Sequence, residues 1–199
     1  MTDIASTDTE KNERGRGSLL LLTGVFLLGV CIGTAVLASG GSSFPADRLD
    51  AALEDYVSAR TNFGTTFMNT FLSGMLFVTA CFLLGTSIIS QPLLVLVPFL
   101  KGVGHGAVMA LLYSRGDGGG VLISLVVILP AAAVTSLAVI LAAREAIGMS
   151  CRLLATALGG SGCAESIKIY LARFLVLTLM TAAAAGIDGA AAILLTALS

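Results

Sequence analysis

Three residues could do chemistry inside an otherwise apolar chain: Lys101, His105 and Asp188. Lys101 and His105 are spaced by one helical turn, so on a helix they share a face. Lys101 follows Pro92 by about 14 Å of helix, which puts it near the middle of a bilayer-spanning segment. A charge at that depth costs roughly 2.5–3.5 kcal/mol or more, and such groups turn to the interior of a helix bundle and take a partner. Asp188, within Ala-Gly-Ile-Asp-Gly, is an acidic residue deep in another apolar run, about 22 Å of helix beyond Arg173. The long lysine stem can narrow the difference in depth. The expectation is an internal Lys101–Asp188 pair that fixes helix packing, with His105 beside it. The alternative is an ion or proton path, which would make the chain a small membrane transporter or channel subunit.

No pattern in the chain points to catalysis. It has no G-x-S-x-G, no H-E-x-x-H and no P-loop, and the Gly-rich Gly116–Gly120 lacks the Lys-Ser/Thr that would engage phosphates. The four cysteines, Cys31, Cys81, Cys151 and Cys163, do not have zinc-site spacing, and there is one histidine. Cys31 and Cys81 read as small packed hydrophobes, and Cys151 and Cys163 fall in a cytoplasmic segment, so no extracellular disulfide is expected. Neither a metal nor a cofactor is expected. The eleven Lys and Arg form no basic stripe, so nucleic acid is not a partner.

The elements that must position these residues are membrane helices. Hydrophobic residues make up 56% of the 199-residue chain and charged ones 12%, about half the share usual in soluble domains. Apolar runs of roughly 20 residues match the ~30 Å hydrocarbon layer. Five such spans are expected, at about 18–39, 71–89, 92–113, 121–143 and 169–198. Residues 18–199 then form one transmembrane helical domain, after a disordered cytoplasmic tail at 1–17. The first run has a signal-peptide-like order of charge and apolar core, but its length favours an uncleaved span. Pro92 suits the start of the third span and Pro130 a kink in the fourth. Gly29-x-x-x-Gly33 and Gly102-x-x-x-Gly106 each place small residues on one helix face, which favours close helix packing or self-association into a homo-oligomer.

The sizeable polar segment between spans is the outer loop 40–68. Within it Leu49, Ala52, Leu53, Tyr56 and Val57 recur with helical period, Asp47 and Asp50 sit in the first turns and Arg60 at the end. A short extracytoplasmic amphipathic helix is expected there, with Leu49, Leu53 and Tyr56 as candidate partner-binding anchors. With the N-terminus inside, the inner regions hold Lys11, Arg14, Arg16, Arg144, Arg152, Lys168 and Arg173, and the outer ones Arg48, Arg60 and Arg115. That excess predicts a cytoplasmic N-terminus and an extracytoplasmic C-terminus.

The order of pieces from Gly85 onward carries a further signal. Gly85, Ser87, Ile88, Ile89 and Pro92 form a G-x-S-I-I-x-x-P entry, Phe99, Leu100, Lys101 and Gly102 follow, and Leu129-Pro130 opens the next span. In this the chain resembles the stage II sporulation protein M family, across the basic tail, first span, outer loop and the region from about Phe63 to Leu154. An acidic residue in the final span, here Asp188, is also common in that family. The wholly apolar Ala131–Val134 departs from the polar or acidic position often found after Leu-Pro. The resemblance implies a non-enzymatic membrane scaffold of the engulfment machinery, in the mother-cell membrane at the sporulation septum. It implies recruitment of the peptidoglycan-degrading stage II sporulation proteins D and P, whose action thins the septal wall and lets the membrane migrate.

Overall fold

The computed structural model describes the backbone of residues 2–38, 62–87, 90–115, 118–158 and 163–198. Side chains are described for 17–38, 62–87, 90–110, 129–158 and 167–194. Among the described residues five helices follow in order: α1 (Thr2–Ala38), α2 (Phe63–Gly85), α3 (Gln91–Arg115), α4 (Gly118–Ala157) and α5 (Cys163–Leu198). Each contains a stretch long and apolar enough to cross a membrane: Gly17–Ala38, Phe63–Gly85, Gln91–Ala110, Leu129–Ala157 and Ile167–Leu194. The chain is an all-α, polytopic membrane protein. Large side chains such as Leu20, Leu72, Leu76, Leu83 and Leu175 point outward. A soluble protein rarely leaves so much apolar surface uncovered, whereas lipid tails cover it without cost.

Glycines set how closely the helices approach. Gly29 and Gly33 of α1 face Gly102 and Gly106 of α3, and the two helices run parallel. A Cβ at Gly29 would strike the carbonyl of Phe99, one at Gly33 that of Val103, one at Gly102 that of Phe26 and one at Gly106 that of Val30. The two small-residue motifs therefore serve a single crossing within the chain, in which backbone meets backbone. Helices α2 and α5 run antiparallel, with Gly74 against Thr181 and Gly189 under the Phe63 ring. The centre is filled by Val78, Cys81, Leu94, Val139, Ala146 and Phe174, all buried.

The turn between α2 and α3 explains most of the Gly85–Pro92 motif. A Cβ at Gly85 would overlap the Tyr170 hydroxyl and lie 2.9 Å from Ala146, so only glycine lets α4 and α5 close over the end of α2. The Tyr170 hydroxyl instead donates to the Phe82 carbonyl at 3.1 Å, inside an aromatic cluster with Phe82 and Phe174. The Ser87 carbonyl accepts from Ser90 Oγ at 3.0 Å and from Ser150 Oγ of α4 at 2.9 Å. Ser90 Oγ also donates to the Leu84 carbonyl. Backbone groups left over at a helix end within the membrane must find partners, and these hydroxyls supply them. Pro92 occupies the second position of α3, where its missing N–H breaks no helical bond. Pro130 and Pro98 lie inside α4 and α3.

Two boundaries differ from expectation. Residues 63–68, expected in the outer loop, form the first turns of α2, where Phe63, Phe67 and Phe71 stack one turn apart at 6.0 and 5.8 Å. The backbone of residues 2–17, expected to be disordered, continues α1. The span supplies the nucleus that a short helix lacks. Helix α4 continues beyond the expected span to Ala157, as its helical pattern through Arg144–Leu158 allows. There Arg173 of α5 meets Glu145 of α4 at 2.5 Å, a partly exposed pair of modest stabilising value. Leu49, Leu53, Tyr56 and the amphipathic helix expected around them lie outside the described residues.

Candidate functional site

Helices α2, α3, α4 and α5 enclose a cleft of about 310 Å³ in the half of the bundle nearest the α1–α2 connection. Its walls mix two chemistries. Helix α2 contributes Thr66, Asn69, Thr70 and Ser73, which recur with the helical period and form one polar stripe down to Phe77. Helix α3 contributes Lys101 and His105, α4 contributes Thr135 and α5 contributes Asp188, while Leu100, Val108, Met109 and Ala131 add an apolar side.

Lys101, His105 and Asp188 all line this cleft. Lys101 is 8% exposed and Asp188 2%. The Lys101 Nζ donates to Ser73 Oγ of α2 at 3.3 Å and stands 4.9 Å from the centre of the Phe77 ring. Thr70 Oγ1 donates to Asp188 Oδ2 at 2.5 Å. Thr70 and Ser73 are successive positions on one face of α2, so that face links the two charges across the cleft. His105 turns its Nδ1 to the Lys101 carbonyl at 3.0 Å and sets its ring edge-on to Phe26 of α1, 6.1 Å between centroids. It connects the cleft to the α1–α3 crossing.

Local sequence explains this placement. Gly102 and Gly106 turn one face of α3 into α1, which leaves Lys101, Gly104 and His105 on the side towards α2 and α5. In α4, Thr135 donates to the Ala131 carbonyl at 3.0 Å and Ser136 to that of Ala132 at 2.7 Å, so both hydroxyls are satisfied within their own helix. The polar stripe of α2 was the part that sequence reasoning missed. Its signal is Thr66, Asn69, Thr70 and Ser73 at helical spacing, hidden because the apolar run reads as beginning at Phe71.

The arrangement can hold opposite charges apart at membrane depth, each anchored by a hydroxyl, beside a space large enough for a small polar group. The mouth lies between α2 and α3, where Asn69, Ser73, Leu100 and Gly104 are exposed.

No curated protein and no solved structure shows significant similarity to the chain. The sequence model of a family described as stage II sporulation protein M does match, over residues 22–192. The matched region takes in the spanning parts of all five helices, the glycine crossing, the Gly85–Pro92 turn and the whole cleft. With the motif order from Gly85 to Pro130, this settles the family: the chain belongs to the stage II sporulation protein M family, and is a sporulation-related membrane protein.

Proposed function

We propose that this chain is a non-enzymatic scaffold of the engulfment machinery, seated in the mother-cell membrane at the sporulation septum. It recruits the peptidoglycan-degrading stage II sporulation proteins D and P, whose action thins the septal wall ahead of the migrating membrane. The observation that carries this reading is the family match across residues 22–192, which takes in the bundle from α1 to α5. A tightly crossed bundle suits a platform, because rigid helices hold an outer segment in a fixed place over the wall. In this reading the N-terminus is cytoplasmic, the C-terminus and the 40–68 segment face the wall, and Leu49, Leu53 and Tyr56 supply contacts to the hydrolases.

The test is the position of the two hydrolases in sporulating cells lacking this chain. Fluorescent fusions should leave the septum and spread around the membrane, and a plasmid copy should return them. Hydrolases that stay at the septum without the chain would overturn the scaffold reading.

The cleft favours a second reading, a transporter or channel subunit that uses Lys101, His105 and Asp188. A neighbouring gene for an ATPase would support it, and sporulation-specific promoter control would support the scaffold.

A further inference from the structure

The cleft has properties that helix packing alone does not call for. Asn69 and Ser73 are polar, exposed at its mouth and set within an apolar span, where contact with hydrocarbon is costly. Inside, a cation and an anion face one another from α3 and α5, both buried. Thr70 and Ser73, one turn apart on α2, contact them, Thr70 at 2.5 Å from Asp188 and Ser73 at 3.3 Å from Lys101. Adding a simple anion or cation would add net charge to a site of low dielectric, which is strongly disfavoured. A group carrying both charges adds none. An ammonium and a phosphate a few Å apart can each take a charge-assisted hydrogen bond of about 2.8 Å to its counter-charge.

The order of depth and the access agree. Asp188 lies about 15 Å of helix from the end of α5 at Leu198, and Lys101 about 21 Å from the end of α3 at Arg115, at the same end of the bundle. A lipid entering from that leaflet presents its ammonium nearer to water and its phosphate deeper, the order in which Asp188 and Lys101 occur. The mouth opens sideways between α2 and α3, towards the bilayer, and the apolar Leu100 stands at its edge. A volume of about 310 Å³ equals the space of about ten water molecules, enough for such a headgroup.

We propose that the cleft is a binding site for a zwitterionic ammonium–phosphate group, with Lys101 and Ser73 on the phosphate and Asp188 and Thr70 on the ammonium. The lateral mouth makes the source a membrane lipid with a primary ammonium headgroup.

The test uses the full chain purified in detergent and in nanodiscs. Native mass spectrometry after release from nanodiscs of mixed phosphatidylethanolamine and phosphatidylglycerol should show one retained phosphatidylethanolamine. In detergent, glycerophosphoethanolamine at about ten times its Kd should raise the unfolding temperature by about 3–5 °C, and glycerophosphate or ethanolamine alone should not. Lys101→Met and Asp188→Asn should each abolish retention and shift. Gly104→Leu keeps both charges and projects into the cleft from a position with open space around it, so it should abolish both effects in a folded protein. Response to glycerophosphoethanolamine with no lipid retained from nanodiscs would overturn the membrane lipid as the source. Retention that survives Gly104→Leu, an equal response to glycerophosphate alone, or no response to any probe would overturn the proposal.

Discussion

Replacing Gly33 by alanine adds one methyl group at the point where α1 meets the backbone of α3. The new Cβ would overlap the Val103 carbonyl oxygen and sit 3.0 Å from the Val103 carbonyl carbon and Cα. None of these atoms belongs to a flexible side chain, so the helices must part by about 1 Å to restore ordinary contact. A gap of that size forfeits a quarter to a half of the dispersion energy of each neighbouring atom pair along the crossing. Overpacking of this kind costs about 1–3 kcal/mol, and the better helix propensity of alanine returns up to about 1 kcal/mol. The net expectation is a loss of about 1–2 kcal/mol for Gly33→Ala, and the same for Gly29→Ala, whose Cβ would meet Phe99. Gly24 is the control, because it lies on the same helix with nothing within 4 Å of its Cβ. Gly24→Ala should be neutral or slightly stabilising. Unfolding by SDS from mild micelles, followed by circular dichroism, reads the differences directly. The Gly29→Ala/Gly33→Ala double variant should lose less than the two single losses combined, since one separation relieves both clashes. If Gly33→Ala and Gly24→Ala unfold together, the backbone-to-backbone crossing is wrong.

Three further expectations concern the topology, the outer segment and the charges. In a cysteine-free background, Asp50→Cys should react with an impermeant maleimide on intact cells and Gly160→Cys should not; labelling at 160 from outside would reject the orientation. Changing Leu49, Leu53 and Tyr56 together to serine should leave the protein in the membrane at normal level while co-purification of the hydrolases falls. Unchanged co-purification would remove the segment as a main contact. Lys101→Ala or Asp188→Ala should each lower abundance, because the remaining charge is left uncompensated, and Lys101→Met/Asp188→Leu should recover much of it. A double variant at normal abundance that still fails in septal thinning would show that the charges do more than stabilise the fold.

The spans were legible in the sequence because bilayer thickness dictates a length of apolar chain, and the described residues hold five such lengths. Their ends were less legible. Thr65, Thr66 and Asn69 lower the local hydropathy, so α2 reads as starting at Phe71, although those residues are helical and turned partly to the cleft. The glycine motifs of α1 and α3 were visible one by one, but which faces meet depends on how all five helices pack. Lys101 and Asp188 could be linked in sequence by their cost in hydrocarbon. Their division between Ser73 and Thr70 could not, because nothing local specifies that α2 lies between them. Gly85 and Ser87 were recognisable as a family pattern, while the reason for them, the Tyr170 hydroxyl and Ser150, lies on helices far along the chain.

Septal wall thickness in sporulating cells, measured by cryo-electron tomography with and without this chain, tests the scaffold claim most directly. The account predicts that the septal wall stays thick in the deletion strain and thins again when the wild-type chain is restored. A septum that thins normally in the absence of the chain, with engulfing membranes advancing around the forespore, would contradict it.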